Sequence, residues 1–126
     1  MLTAKGEVAL RSPRRMPLVL GLVAILALAA PAAAKADYGA IAVNPSTGAS
    51  GVSFNYRKKG PALRRAHREC PSRCRIAIWV RNQCGALVVN RVRYVPATGR
   101  SKKRAIRNAH RRAPGRDRLV AWTCSG

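Results

Sequence analysis

The feature of this sequence that most constrains its fold is an internal repeat. When residues 57–79 are aligned with residues 100–122, at a constant shift of 43 positions, 11 of the 23 residues are identical. The only two histidines and the only two tryptophans of the chain fall at matching positions. Because self-similarity of this kind indicates a duplicated supersecondary unit, each element assigned to one half is expected again in the other.

The first 36 residues have the pattern of a secretory signal peptide. A basic stretch that ends at Arg15 precedes an apolar run over 16–30, and small residues with an A-x-A-like cleavage site follow. Cleavage is expected after Ala36, with cleavage after Ala34 as the alternative. The apolar run is shorter than the about 17–25 residues of a spanning helix, which favours removal over a retained membrane anchor. No integral membrane segment is expected after processing.

The remaining residues, 37–126, are enough for one domain with a modest core. They contain all four cysteines, an even number, so we expect disulfides and a secreted or periplasmic bacterial protein. They also keep 20 of the chain's 25 Lys and Arg but only three acids, a formal net charge of +17. A coding bias can exchange Lys for Arg, but it does not explain the shortage of acids. A surface with this charge attracts polyanions.

The first repeat, about 38–81, is predicted to form two strands, a helix and a third strand. Residues 38–43 suit a strand, the turn signals at 44–48 follow, and apolar residues alternate over 52–56. A helix is expected over 60–70. The apolar residues of 75–80 do not alternate, which is typical of a strand covered on both faces.

The second repeat, about 84–124, follows the same order. Residues 85–90 match 39–44 at four of six positions, here at a shift of 46. Three residues are therefore missing before the second helix, and the hairpin strand over 92–95 is expected to be shorter and less regular. A helix over 101–113 and a strand over 118–122 complete the unit. The two units together predict an α+β fold, an antiparallel-rich sheet with two helices packed on it and pseudo-twofold symmetry.

Each helix has a narrow apolar stripe that is expected to face the sheet. Trp79 and Trp122 are expected to be core residues under the helices rather than stacking platforms. The predicted stripes consist of Leu63, Ala66, His67 and Cys70 in the first helix and of Ile106, Ala109, His110 and Ala113 in the second.

The repeat discriminates among the three pairings that four cysteines allow. Cys70 and Cys74 align with Ala113 and Asp117, so the second repeat lacks both cysteines at once. Bonded cysteines can be lost together without leaving a free thiol. The alternative is a zinc site, since Cys-x3-Cys is near ligand spacing, but export and the cationic surroundings oppose it. We predict no metal or cofactor, and the favoured disulfides are Cys70 with Cys74 and Cys84 with Cys124.

Several short stretches resemble a known family. They are YGAIA at 38–42, CGAL at 84–87 and AWTCS at 121–125, together with Trp79. On these residues the sequence is similar to the small exported bacterial domains known as domain of unknown function 4189. The resemblance covers nearly all of 37–126 and implies the fold and the exported location. That family has no assigned catalytic residues to carry over.

No group of residues predicts catalysis with any specificity. General acid–base chemistry needs a positioned carboxylate or histidine with a partner. Asp37, Glu69 and Asp117 are interpreted as solvated or ion-paired surface groups. The symmetry could bring His67 and His110 together as a metal or catalytic pair, and a hydrolase that uses them is the third hypothesis.

Binding is better supported than catalysis. We expect the basic faces of the two helices to lie on the same side of the sheet and to merge into one positive surface. Arginine forks on such a surface suit phosphate-bearing polymers. The first hypothesis is a non-catalytic exported module that binds anionic envelope polymers, lipid headgroups at a membrane surface, or nucleic acid. The second is an inhibitor or immunity-type protein that binds an acidic envelope enzyme. The residues predicted to contact the polyanion are Arg64, Arg65, Arg68, Lys102, Lys103, Arg104, Arg107 and Arg111.

Overall fold

A computed structural model describes residues 35–126, so the predicted signal peptide lies outside the described residues except for its last two positions. The α+β class and the repeated strand-strand-helix-strand order are confirmed. Within residues 35–126, no helix is long and apolar enough to cross a membrane. The elements are β1 (Tyr38–Val43), β2 (Ser50–Tyr56), α1 (Lys59–Glu69), β3 (Arg75–Arg81), β4 (Cys84–Asn90), β5 (Tyr94–Gly99), α2 (Lys102–Arg112) and β6 (Asp117–Cys124).

The six strands form two three-stranded antiparallel sheets, one for each repeat. The strand order is β2-β1-β3 in the first sheet and β5-β4-β6 in the second. The central strands β1 and β4 are the ones buried on both faces. The expectation that β3 is covered on both faces is wrong, because β3 is an edge strand with three exposed side chains.

A β-bulge explains why the apolar residues of β3 do not alternate. The pairing of β1 with β3 shifts between Ile41 and Ala42, so Ala77 is an extra residue. Ala77 and Ile78 consequently both pack into the same apolar cluster. The second repeat has the same irregularity, with Val120 as the extra residue of β6. A duplicated bulge, rather than burial on two faces, produces the continuous apolar run.

The two sheets pack face to face, and each helix covers the outer face of its own sheet. Ile41 and Val43 of β1 meet Leu87 of β4 and Ala121 of β6 in the cluster between the sheets. The alternate side chains of β1 and β4 instead point to the helices. The layers are therefore α1, first sheet, second sheet and α2.

Alanines form the contact between each helix and its sheet. The predicted stripe is wrong at the two histidines, which are exposed, while Leu63 and Ile106 are only partly buried. Small side chains let the helix approach the strands closely, whereas burying an imidazole would require hydrogen-bond partners. At Gly51 of β2 a Cβ atom would overlap the backbone of α1. The buried helix-face residues are Ala62, Ala66 and Cys70 in the first repeat and Ala105, Ala109 and Ala113 in the second.

The three residues missing from the second repeat are accounted for by the hairpins. The pairings of Val43 with Ser50 and of Val89 with Tyr94 show that two residues are lost from the turn. The third is the extra residue of a bulge in β2, which β5 lacks. The second hairpin is shorter than the first, as predicted, with a shorter turn and a six-residue β5 against a seven-residue β2. The prediction that it is less regular and lies over 92–95 is wrong, because β5 spans Tyr94–Gly99 and pairs with β4 without a register shift.

The bulge in β2 binds the two repeats together. Asn55 adopts a left-handed φ of 60°, which asparagine tolerates. The Thr123 hydroxyl donates to the Ser53 carbonyl at 2.6 Å, and the Asn55 N–H donates to the Ser125 hydroxyl at 3.0 Å. Thr123, Ser53 and Ser125 are all buried. Hydroxyls from the second repeat therefore satisfy backbone groups of β2.

Two disulfides fix the ends of elements. One joins Cys70 to Cys74 and links the end of α1 to the start of β3. The other joins Cys84 to Cys124, a directly opposed pair of β4 and β6. This is the pairing that the repeat favours. The four sulfurs are bonded in two pairs, so none is a free thiolate that could bind zinc.

Candidate anion-binding surfaces

The residues predicted to bind a polyanion are all exposed, but the structure divides them between two surfaces. Arg64, Arg65 and Arg68 lie on α1, and the remaining five lie on α2. Because each helix covers the outer face of a different sheet, the two basic faces point away from each other. The expectation of one merged surface is therefore wrong. It assumed a single sheet, whereas the repeats form two sheets stacked between the helices.

The α1 face is partly neutralised by its own acid. Arg65 Nε lies 2.9 Å from Glu69 Oε1, one turn further along the helix, and both side chains are about half exposed. An exposed pair of this kind contributes little to stability. It leaves Arg64 and Arg68 as the arginines of this face that have no carboxylate partner among the described residues.

The α2 face is the more basic of the two. Ser101 caps the helix by accepting a hydrogen bond from the backbone N–H of Arg104 at 3.2 Å. Arg111 donates to Asn108 Oδ1, and Asn108 Nδ2 donates to the carbonyl of Thr98 on β5 at 2.8 Å. Arg111 is thus held in place by a neutral amide. Its charge remains available.

A lysine–tryptophan pair occurs at the same place in both repeats. Lys59 Nζ lies 4.0 Å from the ring centroid of Trp79, and Lys102 Nζ lies 4.0 Å from that of Trp122. These are cation–π distances. The expectation that both tryptophans are core residues is wrong, since Trp79 is 43% exposed and Trp122 is 40% exposed. Both stand on edge strands, where an 11-residue helix with alanine contacts does not cover them.

The two histidines are not brought together. His67 and His110 are exposed on different helices. His110 Nδ1 forms a 2.7 Å contact with Oδ1 of Asp117, which links the end of α2 to the start of β6. Asp117 aligns with Cys74 of the first repeat, and the disulfide of Cys74 links the end of α1 to the start of β3. The contact between His110 and Asp117 therefore connects the same two elements that the disulfide connects in the first repeat. Within residues 35–126 no three potential metal ligands cluster.

A third basic surface lies at the end of the domain where β3 and β6 begin. It contains two adjoining depressions of about 340 and 370 Å³, which share residues 89–91. One extends to the start of β6 and the other to the start of β3. We call this surface the arginine groove, and its arginines are Arg75, Arg91, Arg93, Arg116 and Arg118.

Comparison with known proteins assigns the chain to a family. A protein family described as domain of unknown function (DUF4189) matches residues 38–124. The chain belongs to this family. It is also similar to a solved structure, the NMR structure of Rv1813c from Mycobacterium tuberculosis. The two sequences are 34% identical, the match covers 75% of this chain and 79% of that chain, and the TM-score is 0.58. No curated protein matches.

Sequence reasoning missed the arginine groove of this DUF4189 domain. It treated basic residues as patches on helices, although two of the identical pairs in the repeat alignment are strand residues. One of these pairs is Arg75 with Arg118. The sequence signal that could have predicted the groove is the pair of matching arginines just before and at the start of a strand that is otherwise apolar. They have to lie at an end of the strand where their guanidinium groups can reach water.

Proposed function

We propose that this DUF4189 domain is a non-catalytic exported module that binds anionic polymers. The observation that supports this most is the excess of unopposed positive charge. Residues 37–126 carry a formal net charge of +17. Two of their three acids are already engaged, Glu69 by Arg65 and Asp117 by His110. Such a surface repels itself and is stabilised by a polyanion that spreads over it.

The first turns of the two helices add to this repulsion. The N-terminal end of a helix carries a partial positive charge, and cations there are unfavourable by roughly 0.3–1 kcal/mol each. Lys59 opens α1, and residues 102–104 at the start of α2 are all basic, with no acid in either first turn. Cations at both helix N-termini go against local stability, and such exceptions are expected at functional sites. A bound anion would relieve the repulsion.

Two features support export of this domain. The disulfides are of the kind that persists in oxidising compartments. The backbone of Asp37, the expected first residue after cleavage, is also held in place, because its N–H donates to Asn82 Oδ1 at 2.8 Å and its carbonyl accepts from Asn82 N at 3.0 Å. N-terminal sequencing of the protein from culture fluid or periplasm should start at Asp37. A sequence that still contains the signal peptide, or recovery in membranes alone, would contradict export.

Polymer binding is tested by fluorescence anisotropy with a labelled polyphosphate and a labelled polyglutamate at increasing salt. Both should bind at low salt, and the affinity should fall steeply towards about 0.5 M salt because counterions compete with the protein. Replacing Arg104, Arg107 and Arg111 by Ala should reduce the slope of log affinity against log salt by about two to three, one for each lost contact.

The matched control replaces the same three arginines by lysine. It keeps the charge and should retain the wild-type slope. Absence of binding at low salt, or binding that does not change up to about 0.5 M salt, would show that the proposed function is wrong. The His67→Ala variant should bind as the wild type does, because His67 does not contribute to the formal charge of +17.

A further inference from the structure

The arginine groove differs from the helix faces in how it is built. In β1 the side chain of Val43 points into the core between the sheets, and Arg75 is its partner across the strands. In β4, Val89 pairs with Arg118 in the same way. Cross-strand partners project to the same side of a sheet. Each repeat therefore directs one arginine towards the opening between the two sheets, at the same end of the domain.

The rest of the groove comes from the turns. Arg91 and Arg93 lie in the tight turn between β4 and β5, which Asn90 holds by accepting from the N–H groups of Val92 and Arg93 at 2.8 Å each. The turn between β1 and β2 approaches the groove on its other side. A Cβ atom at Gly48 would lie 3.5 Å from the Tyr94 hydroxyl, and Gly48 needs a left-handed φ of 79°. The walls are thus supported by a short turn and a strand rather than by a free loop.

The basic groups of the groove are of one chemical type. All five of its basic residues are arginine, whereas the start of α2 has two lysines. None of the five is ion-paired with a carboxylate from the described part of the chain. Asp117 also lines the groove, but its Oδ1 contacts His110 Nδ1 and its Oδ2 is buried, without a hydrogen-bond partner among the described residues. A guanidinium fork binds phosphate through two parallel hydrogen bonds, which a lysine ammonium cannot do.

We propose that the arginine groove selects phosphate groups of a flexible chain that carries no nucleobases. This inference rests on the proposed function and adds the chemistry that its ligand must have. We infer that the ligand carries no nucleobases from the residues that line the groove. Among the described residues that line the groove, Tyr94 is the one aromatic, and it packs against the core between the sheets. The groove therefore has no series of aromatic rings on which successive bases could stack. The exposed tryptophans lie on the helix-covered faces, away from the groove.

The test is a charge-conserving exchange of arginine for lysine. The variant Arg75→Lys/Arg118→Lys keeps every charge but removes two forks, and the control Arg104→Lys/Arg107→Lys makes the same change on α2. Affinity for inorganic polyphosphate should fall about tenfold in the groove variant, because bidentate charge-assisted bonds are lost. Affinity for polyglutamate of equal charge should fall less than affinity for polyphosphate. An equal fall would refute selection of phosphate over carboxylate, which also accepts a guanidinium fork. Both affinities of the control should stay within twofold of wild type.

The outcomes separate the inference from the proposed function. If the wild type binds neither polymer, the proposed function is wrong. If the wild type binds both but the groove variant and the control lose equal affinity for polyphosphate, only the selectivity of the groove is refuted. A second variant, Arg91→Lys/Arg93→Lys, repeats the test in the turn between β4 and β5. Tighter binding of single-stranded DNA than of polyphosphate at equal charge would refute a ligand without bases.

Discussion

Removing the disulfide between Cys84 and Cys124 should destabilise this domain far more than removing the other disulfide. The two cysteines are 40 residues apart in sequence, whereas Cys70 and Cys74 are four apart. In the chain-entropy model, a cross-link stabilises by restricting the unfolded chain in proportion to the logarithm of the loop length. This gives about 4 kcal/mol for the long loop and about 2 kcal/mol for the short one.

Burial does not change this order. Cys84 is 6% exposed and Cys124 is partly buried, whereas Cys70 and Cys74 are 5% and 9% exposed. Packing alone would therefore not make loss of the bond between Cys84 and Cys124 the more costly change. The difference between the two variants should therefore come from the loops. A domain of this size has a free energy of unfolding of about 5–14 kcal/mol. Loss of about 4 kcal/mol is then a large fraction of the total, while loss of about 2 kcal/mol leaves a folded protein.

The measurement is urea unfolding of the wild type and the two double alanine variants, followed by far-ultraviolet circular dichroism. The Cys70→Ala/Cys74→Ala variant is the matched control, and it mimics the second repeat, which has Ala113 and Asp117 at these positions. Equal losses in the two variants, or a larger loss in the control, would refute the loop-length argument. Calorimetry would then be needed to locate an enthalpic contribution.

Three further predictions concern packing, a buried hydrogen bond and a surface pair. Gly51→Ala should lower the free energy of unfolding by about 1–3 kcal/mol, because the added methyl overlaps the backbone of α1; Gly60→Ala is the control, and equal stability of both would contradict the packing. Thr123→Val should cost about 1–3 kcal/mol in urea unfolding, since the buried Ser53 carbonyl loses its donor. Wild-type stability of that variant would mean that the bond is dispensable. Lys59→Met removes the ammonium over the tryptophan ring and should cost under about 1 kcal/mol in thermal unfolding, with a changed tryptophan fluorescence spectrum; an unchanged spectrum would disprove the contact.

The repeat was the part of the sequence that predicted structure best. It defined the order of the elements, and it favoured the bond between Cys70 and Cys74, because matched positions constrain each other. Residues 39–44 and 85–90, which match in sequence, became the two central strands. These strands are buried on both faces, so their small and β-branched residues carry a strong local signal.

Two wrong predictions, the merged basic surface and the buried tryptophans, share one cause, which is that two sheets replaced one. With a single sheet, both helices would lie on one side, and the tryptophans would be covered. With two stacked sheets, β1 and β4 occupy the centre, and Trp79 and Trp122 move to edge strands. Pattern and propensity describe each strand but not which strands pair. The bulge at Ala77 gave an edge strand the apolar run of a buried one.

The same stacking explains why an anion site can exist at the arginine groove. Arg75 and Arg118 occupy one position of the repeat, so a single repeat has one such arginine at the end of an edge strand. Packing the two sheets face to face brings both arginines to the opening between them. The basic faces of α1 and α2, by contrast, need only one repeat each. The proposed selectivity for phosphate at the groove therefore depends on the duplicated architecture, whereas the proposed general attraction to polyanions depends only on charge.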